Sequence, residues 1–237
     1  MKKLLSFVFL SVVFAGSGFG QSKPQGYLSL TFGPSIPLGN YASTADVSTG
    51  GFATPGSVAV LDWAKYYSNF GMTATMSFGS HGLNESALDA VFAEQGEKPV
   101  YSDSSNWMSS CLMFGPAYGL RFDKLTLDFN ILGGLYFAKS PDVRLQNEQS
   151  IPLECNKFNN NFFDCVVALG YQLSAAMRYN ICNHFFATAK TRFYHSNPSY
   201  TIGYDLPTDE KGGYKNQYKF SQPTSVLDFT VGIGIGF

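Results

Sequence analysis

The chain has 237 residues, a formal net charge of −1, 14% charged residues and 16% aromatic residues. Near-neutrality removes the basic patch that a nucleic-acid partner demands, and a charged fraction well under the roughly 25% of soluble domains fits poorly with a wholly water-facing surface. The length suffices for one β-domain, and a mean hydropathy of −0.03 argues against membrane-crossing helices while suiting strands that alternate apolar and polar residues.

Residues 1–20 read as a secretory signal peptide. Lys2 and Lys3 supply the positive start, Leu4 to Ala15 the apolar core, and Gly18-Phe19-Gly20 the small-x-small cleavage site. That apolar run is too short to span a bilayer, and no later segment stays apolar for about 18 residues. No Cys stands at the cleavage point, which argues against a lipoprotein. The expected mature chain is residues 21–237, exported and folded as one domain.

Strand one is expected over 27–33, followed by a polar stretch, 34–56, with turn signals at Gly39-Asn40, Gly50-Gly51 and Pro55-Gly56. Strand two spans about 57–66, with its facing undecided. After a tight Tyr67-Ser68-Asn69 turn, strand three sets Phe70, Met72, Ala74, Met76 and Phe78 against Gly71, Thr73, Thr75, Ser77 and Gly79. Within the long segment 80–106, Leu88, Val91 and Phe92 recur at helical spacing and predict a short helix. Strand four, about 107–122, ends at the Asp123-Lys124 turn. Strand five sets Leu125, Leu127, Phe129, Ile131, Leu135 and Phe137 against Thr126, Asp128, Asn130 and Tyr136. A polar segment, 139–161, precedes strand six, where Phe163, Cys165, Val167, Leu169, Tyr171, Leu173 and Met177 oppose Asp164, Gly170, Gln172, Ser174 and Arg178. Past the short turn from Asn180 to Asn183, strand seven sets Phe185, Ala187, Ala189 and Phe193 against Thr188, Lys190, Arg192 and Tyr194. A last long loop, 197–222, leads to strand eight. There Leu227, Phe229, Val231, Ile233, Ile235 and Phe237 occupy one face, and Asp228, Thr230, Gly232, Gly234 and Gly236 the other.

The connections alternate long and short, as in outer-membrane barrels with long outer loops and short periplasmic turns. Aromatic residues gather at the short-turn ends (Tyr66, Phe70, Tyr118, Phe122, Tyr179, Phe185, Phe237) and at the long-loop ends (Phe32, Phe78, Phe137, Phe163, Phe193). Such girdles mark bilayer interfaces. A soluble eight-stranded barrel of the lipocalin type is the alternative, with the apolar face turned inward. The charges argue against it. Asp128, Arg178, Lys190, Arg192 and Asp228 all lie opposite the apolar face, which is itself nearly free of charge. Hydrocarbon demands this, because a Lys or Arg at the bilayer midplane costs ~2–4 kcal/mol.

The Gly33-Pro34-Ser35-Ile36-Pro37-Leu38-Gly39-Asn40-Tyr41 stretch after strand one and the terminal Gly-Ile-Gly-Phe resemble those of the small eight-stranded outer-membrane barrels, the OmpX and OmpA-transmembrane-domain type. The resemblance covers nearly the whole mature chain. It implies an all-β, eight-stranded antiparallel up-and-down transmembrane barrel in the outer membrane of a Gram-negative bacterium, with both termini periplasmic. It also implies that Phe229, Val231, Ile233, Ile235 and Phe237 form the barrel-closing C-terminal signal read by the assembly machinery.

An eight-stranded barrel is just wide enough for side chains to fill. Asp128, Arg178, Lys190, Arg192 and Asp228 are therefore expected to form a polar network that plugs the lumen. Inward Gly170, Gly232, Gly234 and Gly236 leave space that keeps a narrow charged pore as the second reading.

A third reading comes from Arg192-Phe193-Tyr194-His195-Ser196-Asn197, which resembles the His-x-Ser-Asn stretch of outer-membrane lipid A deacylases. In a strand His-x-Ser puts both groups on one face, whereas adjacent His195 and Ser196 point to opposite faces. Asp209 or Glu210 would have to fold back to orient the imidazole. No catalytic residue, cofactor or metal is therefore expected, the spacing of His81, His184 and His195 offering no metal site. Cys155 and Cys165 flank part of the third long loop, and an exported compartment would allow them to bond. Cys111 and Cys182 are expected as free cysteines at apolar sites. The expected partners are outer-membrane lipid, the assembly machinery and an extracellular ligand or surface protein, with the long loops as the binding element.

Overall fold

The computed structural model describes residues 26–45, 50–93, 98–101, 106–141, 143–146, 152–153, 166–204 and 216–237. The signal-peptide segment, Phe163, Cys155, Cys165, Asp209 and Glu210 lie outside the described residues. Eight strands form a closed barrel: β1 (Gly26–Leu38), β2 (Ala53–Tyr67), β3 (Phe70–Leu83), β4 (Trp107–Phe122), β5 (Leu125–Lys139), β6 (Val166–Asn180), β7 (Phe185–Ser196) and β8 (Thr224–Gly236). Each is antiparallel to its neighbours in sequence, and β8 returns to pair with β1. At their meeting ends Gly26 and Phe237 exchange two backbone hydrogen bonds of 2.9 Å.

Strands of 12 to 16 residues exceed the roughly 9–11 that a tilted strand needs to cross hydrocarbon. No described helix is long and apolar enough to cross a membrane, so any crossing is made by the strands. The period of two decides which side chains face out. Phe32, Phe78, Phe114, Ile131, Leu169, Val231 and Ile233 are all more than half exposed. In water this belt would far exceed the few hundred Å² of contiguous apolar surface that soluble monomers show. Ser29, Thr31, Asp62, Thr73, Thr75, Asp128, Asn130, Gln172, Lys190, Arg192, Asp228 and Thr230 are buried on the opposite face.

The barrel is taller on its loop side than the alternation suggests. β1 continues through Pro34 and Pro37 to Leu38, and β2 begins at Ala53, so the first loop shrinks to residues 39–52. Proline removes a ladder donor, and the β1–β8 ladder accordingly skips Gly33 and Pro34 before resuming at Ser35. β3 likewise runs on to Leu83, carrying His81 into the barrel wall. The helix α1 spans Glu85–Ala93, its first turn held by Asn84 Oδ1, which accepts from the Ala87 amide at 3.1 Å. Its Leu88 and Phe92 bury against Phe52 of the first loop.

Two small sheets stand outside the barrel where the sequence reads as polar loop. Residues 98–101, 143–146 and 152–153 make one, joining the second and third long loops, and residues 199–204 pair with 216–221 in the other. The short-turn girdle needs one correction: Tyr66 points inward and is 1% exposed, while neighbouring Tyr67 takes the outer position. A phenol with a carboxylate to bond has a reason to face the lumen.

Candidate functional site

The lumen is packed in three levels. Nearest the short turns, Arg178 forms an ion pair with Asp128 through Nε and donates from Nη2 to Oδ1 at 2.9 Å. Tyr66 donates its hydroxyl to the same Oδ1 at 2.9 Å. The Arg178 guanidinium carbon lies 4.1 Å from the Tyr27 ring centre and 5.3 Å from that of Phe186, a cation–π arrangement that covers its flat face. Gly234 leaves no open space here, since a Cβ on it would lie 2.2 Å from the Phe186 ring. At Gly234, one of the four glycines behind the pore reading, the space is filled by an aromatic side chain.

At mid-height Asp62 accepts from Lys190 Nζ at 2.7 Å and from Thr75 Oγ1 at 2.5 Å. Asn130 accepts from Thr73 at 3.3 Å and donates to Ser174 at 3.1 Å. Lys190 stands on β7 and Asp62 on β2, so this bond crosses the lumen.

The third level follows one ladder row. Arg192 pairs in register with Asp228, Asp228 with Ser35, Ser35 with Gly56, and Gly56 with His81. Arg192 Nε donates to Asp228 Oδ2 at 2.7 Å, Ser35 Oγ donates to Oδ1 at 2.5 Å, and His81 Nε2 lies 2.8 Å from Ser35 Oγ. Ser35 and His81 meet over Gly56, which has no side chain to separate them. Ser35 has one hydrogen and gives it to Asp228, which assigns the Nε2 hydrogen to His81 and leaves Nδ1 to accept from the Tyr41 hydroxyl, 3.4 Å away. Arg192 Nη1 also reaches Gln172 Oε1 at 3.4 Å. Ser35, His81, Cys111, Arg192, Tyr194 and Asp228 border a cavity of about 10 Å³, room for one water at most.

Above this row Tyr41, Trp107, Tyr136, Tyr194 and Tyr200 form a buried cluster. Tyr41 meets His81 and Trp107 edge-on at 5.3 and 5.5 Å, and Trp107 Nε1 donates to the Gly51 carbonyl at 2.8 Å. Tyr41 and Tyr200 lie beyond the spanning strands, and burial pushes both phenols above their ordinary range. The lumen is thus capped toward the loops by aromatic rings and filled below by ion pairs. Isolated charges in so dry a place would each cost several kcal/mol, and pairing offsets that cost.

Of the charges singled out from the sequence, the structure joins Arg178 to Asp128 and Arg192 to Asp228, and gives Lys190 a partner the sequence reading lacks, Asp62. Asp62 was missed because strand two carries apolar residues on both faces: Val58, Val60, Ala64 and Tyr66 turn inward with it, while Leu61 and Trp63 turn out. Its signal was available, since a carboxylate in mid-strand is admissible only on the lumen side. His195 and Ser196 are not brought together. His195 Nδ1 lies 2.8 Å from Ser225 Oγ on β8, and Ser196 donates to the Leu169 carbonyl at 2.9 Å. Cys111 is free and buried, 2.9 Å from Ser77 Oγ, whereas Cys182 is free but exposed in its turn and so does not occupy an apolar site. Phe229, Val231, Ile233 and Ile235 line the outer face of β8, and Phe237 is half-buried. No cluster of three potential metal ligands occurs among the described residues.

No protein-family model matches the chain, and no curated protein matches its sequence. Among solved structures it is similar to Neisserial surface protein A, at 7% identity and a TM-score of 0.48, covering 92% of this chain and 100% of that one. A major outer membrane protein from Thermus thermophilus gives 10% identity and a TM-score of 0.48, over 90% of this chain and 99% of that one. The attachment invasion locus protein Ail of Yersinia pestis gives 11% and 0.42, over 90% and 99%. The strand order, the register and the exposed apolar belt settle the architecture on their own: this chain is a closed, eight-stranded antiparallel barrel of the outer-membrane type.

Proposed function

We propose that the protein is a non-enzymatic outer-membrane anchor whose barrel holds long loops above the membrane for contact with a ligand or surface protein. The observation that carries this reading is the filled lumen. Three ion pairs and an aromatic cap leave about 10 Å³ beside the upper pair, far less than a hydrated ion needs. With the lumen filled at the described levels, the parts offered for recognition are the loop-side elements, α1 and the two outer sheets. Insertion would be directed by the β8 strand, whose Phe229, Val231, Ile233, Ile235 and Phe237 offer the alternating face that an assembly machinery reads. Outer-membrane lipid covers the belt.

Planar-bilayer recording of the refolded mature chain, residues 21–237, tests this. A folded barrel that stays electrically silent supports the anchor, and reproducible conductance steps would move the function to a pore with Lys190 and Arg192 as selectivity residues. The enzyme reading has less support, because His195 bonds Ser225 rather than Ser196. Lipid products that change on expression and revert in His195→Ala would establish it instead.

A further inference from the structure

β1 and β8 lie at opposite ends of the chain, and no hairpin turn joins them. Every other neighbouring pair in the barrel is connected through a turn or a loop. Closing this seam therefore carries the largest loop-closure cost in the molecule. Its ladder is also broken at Gly33 and Pro34, as the β4–β5 ladder is at Gly115 and Pro116, whereas the β5–β6 ladder runs without a gap from Leu125 opposite Tyr179 to Ala138 opposite Val166.

Charge-paired bonds of two of the three lumen levels cross this seam. Lys190 on β7 reaches Asp62 on β2, passing over β8 and β1, at 2.7 Å with both side chains 3% exposed. The upper row runs Arg192 (β7), Asp228 (β8), Ser35 (β1) and His81 (β3), with the Ser35–Asp228 bond of 2.5 Å bridging the seam itself. The third pair, Arg178–Asp128, lies between β6 and β5, and its level crosses the seam through rings alone, Tyr27 of β1 meeting Phe186 of β7 edge-on at 5.6 Å.

We infer that the Lys190–Asp62 pair and the Arg192–Asp228–Ser35–His81 row form a latch that holds the β1–β8 seam shut against lateral opening. No covalent turn ties the wall where β1 meets β8, and buried charge-assisted bonds stand in for the turn that every other hairpin has. Outward displacement of the β1–β2 or the β7–β8 hairpin would part Lys190 from Asp62 and Ser35 from Asp228 in a dry lumen, so the seam opens only with loss of these bonds.

Amide hydrogen exchange of the folded chain in lipid nanodiscs tests the latch. In the native protein, amides within residues 28–32 and 231–235 should exchange no faster than those of β5–β6, despite the broken ladder. Asp62→Asn keeps the side-chain size but removes the charge, and should speed seam exchange about tenfold or more, as a lost bond to a charged group implies. The β5–β6 amides should stay within about twofold of their native rates, being remote from the change. Ser35→Ala removes one hydroxyl and should act in the same place, which covers the case in which Asp62→Asn does not fold. Seam amides that already exchange faster than β5–β6 in the native protein would overturn the inference. So would variants that speed all ladders alike, or none.

Discussion

Truncating Asp128 tests the lumen energetics directly. The carboxylate is fully buried and accepts from Arg178 Nε, Arg178 Nη2 and Tyr66 Oη. Asp128→Ala leaves the guanidinium without its carboxylate and the Tyr66 hydroxyl without its acceptor, in a site lined by Tyr27 and Phe186. Removing one partner of a buried pair costs about 3–5 kcal/mol, most of it from the stranded charge. Replacing both partners by apolar residues of similar volume, Asp128→Leu with Arg178→Met, should be close to neutral by the same reasoning. Reversible urea unfolding in lipid vesicles, followed by fluorescence of the two tryptophans, gives the difference. At a slope of about 3 kcal/mol per M the single variant should lower the midpoint by roughly 1 to 2 M. A loss under about 1 kcal/mol, or a double variant as damaged as the single, would mean that water reaches this level and that the lumen is not dry.

The remaining expectations concern other parts of the wall. Ile131→Arg puts a charge on the outer belt and should cost ~2–4 kcal/mol in vesicles; unchanged stability would return that face to water. Gly56→Ala places a Cβ 1.8 Å from the Ser80 carbonyl, so the β2–β3 ladder must shift. An expected loss of about 1–3 kcal/mol should appear together with a moved His81 imidazole signal in NMR spectra, and an unmoved signal would deny that Ser35 and His81 meet over this glycine. Tyr41, whose phenol burial holds above its ordinary value of about 10, contributes stability that is complete below that value and is lost as pH rises through the folded one. Tyrosinate absorbance of the folded native chain and of folded Tyr41→Phe should therefore rise alike through the ordinary phenol range, whereas in urea the native chain should titrate one phenol more. A folded difference between the two would contradict a sealed cap.

The sequence by itself determined the class of fold, because a strand sends alternate side chains to alternate faces and hydrocarbon admits almost no charge. The run from Leu227 to Phe237, repeated in kind through β3 and β5 to β7, left one consistent arrangement of strands and turns, with the facing of strand two undecided. It also placed Asp128, Arg178, Lys190, Arg192 and Asp228 on the inner side. What it did not contain was who meets whom. Parity says that Lys190 faces inward, but its partner stands across the lumen on β2, and that depends on barrel closure and stagger, which no local pattern encodes. The same holds for Tyr66, turned in by Asp128, and for Gly234, whose missing side chain makes room for Phe186 rather than for a pore. Facing is a local property of a strand; pairing across a barrel is fixed only once the two ends of the chain have met.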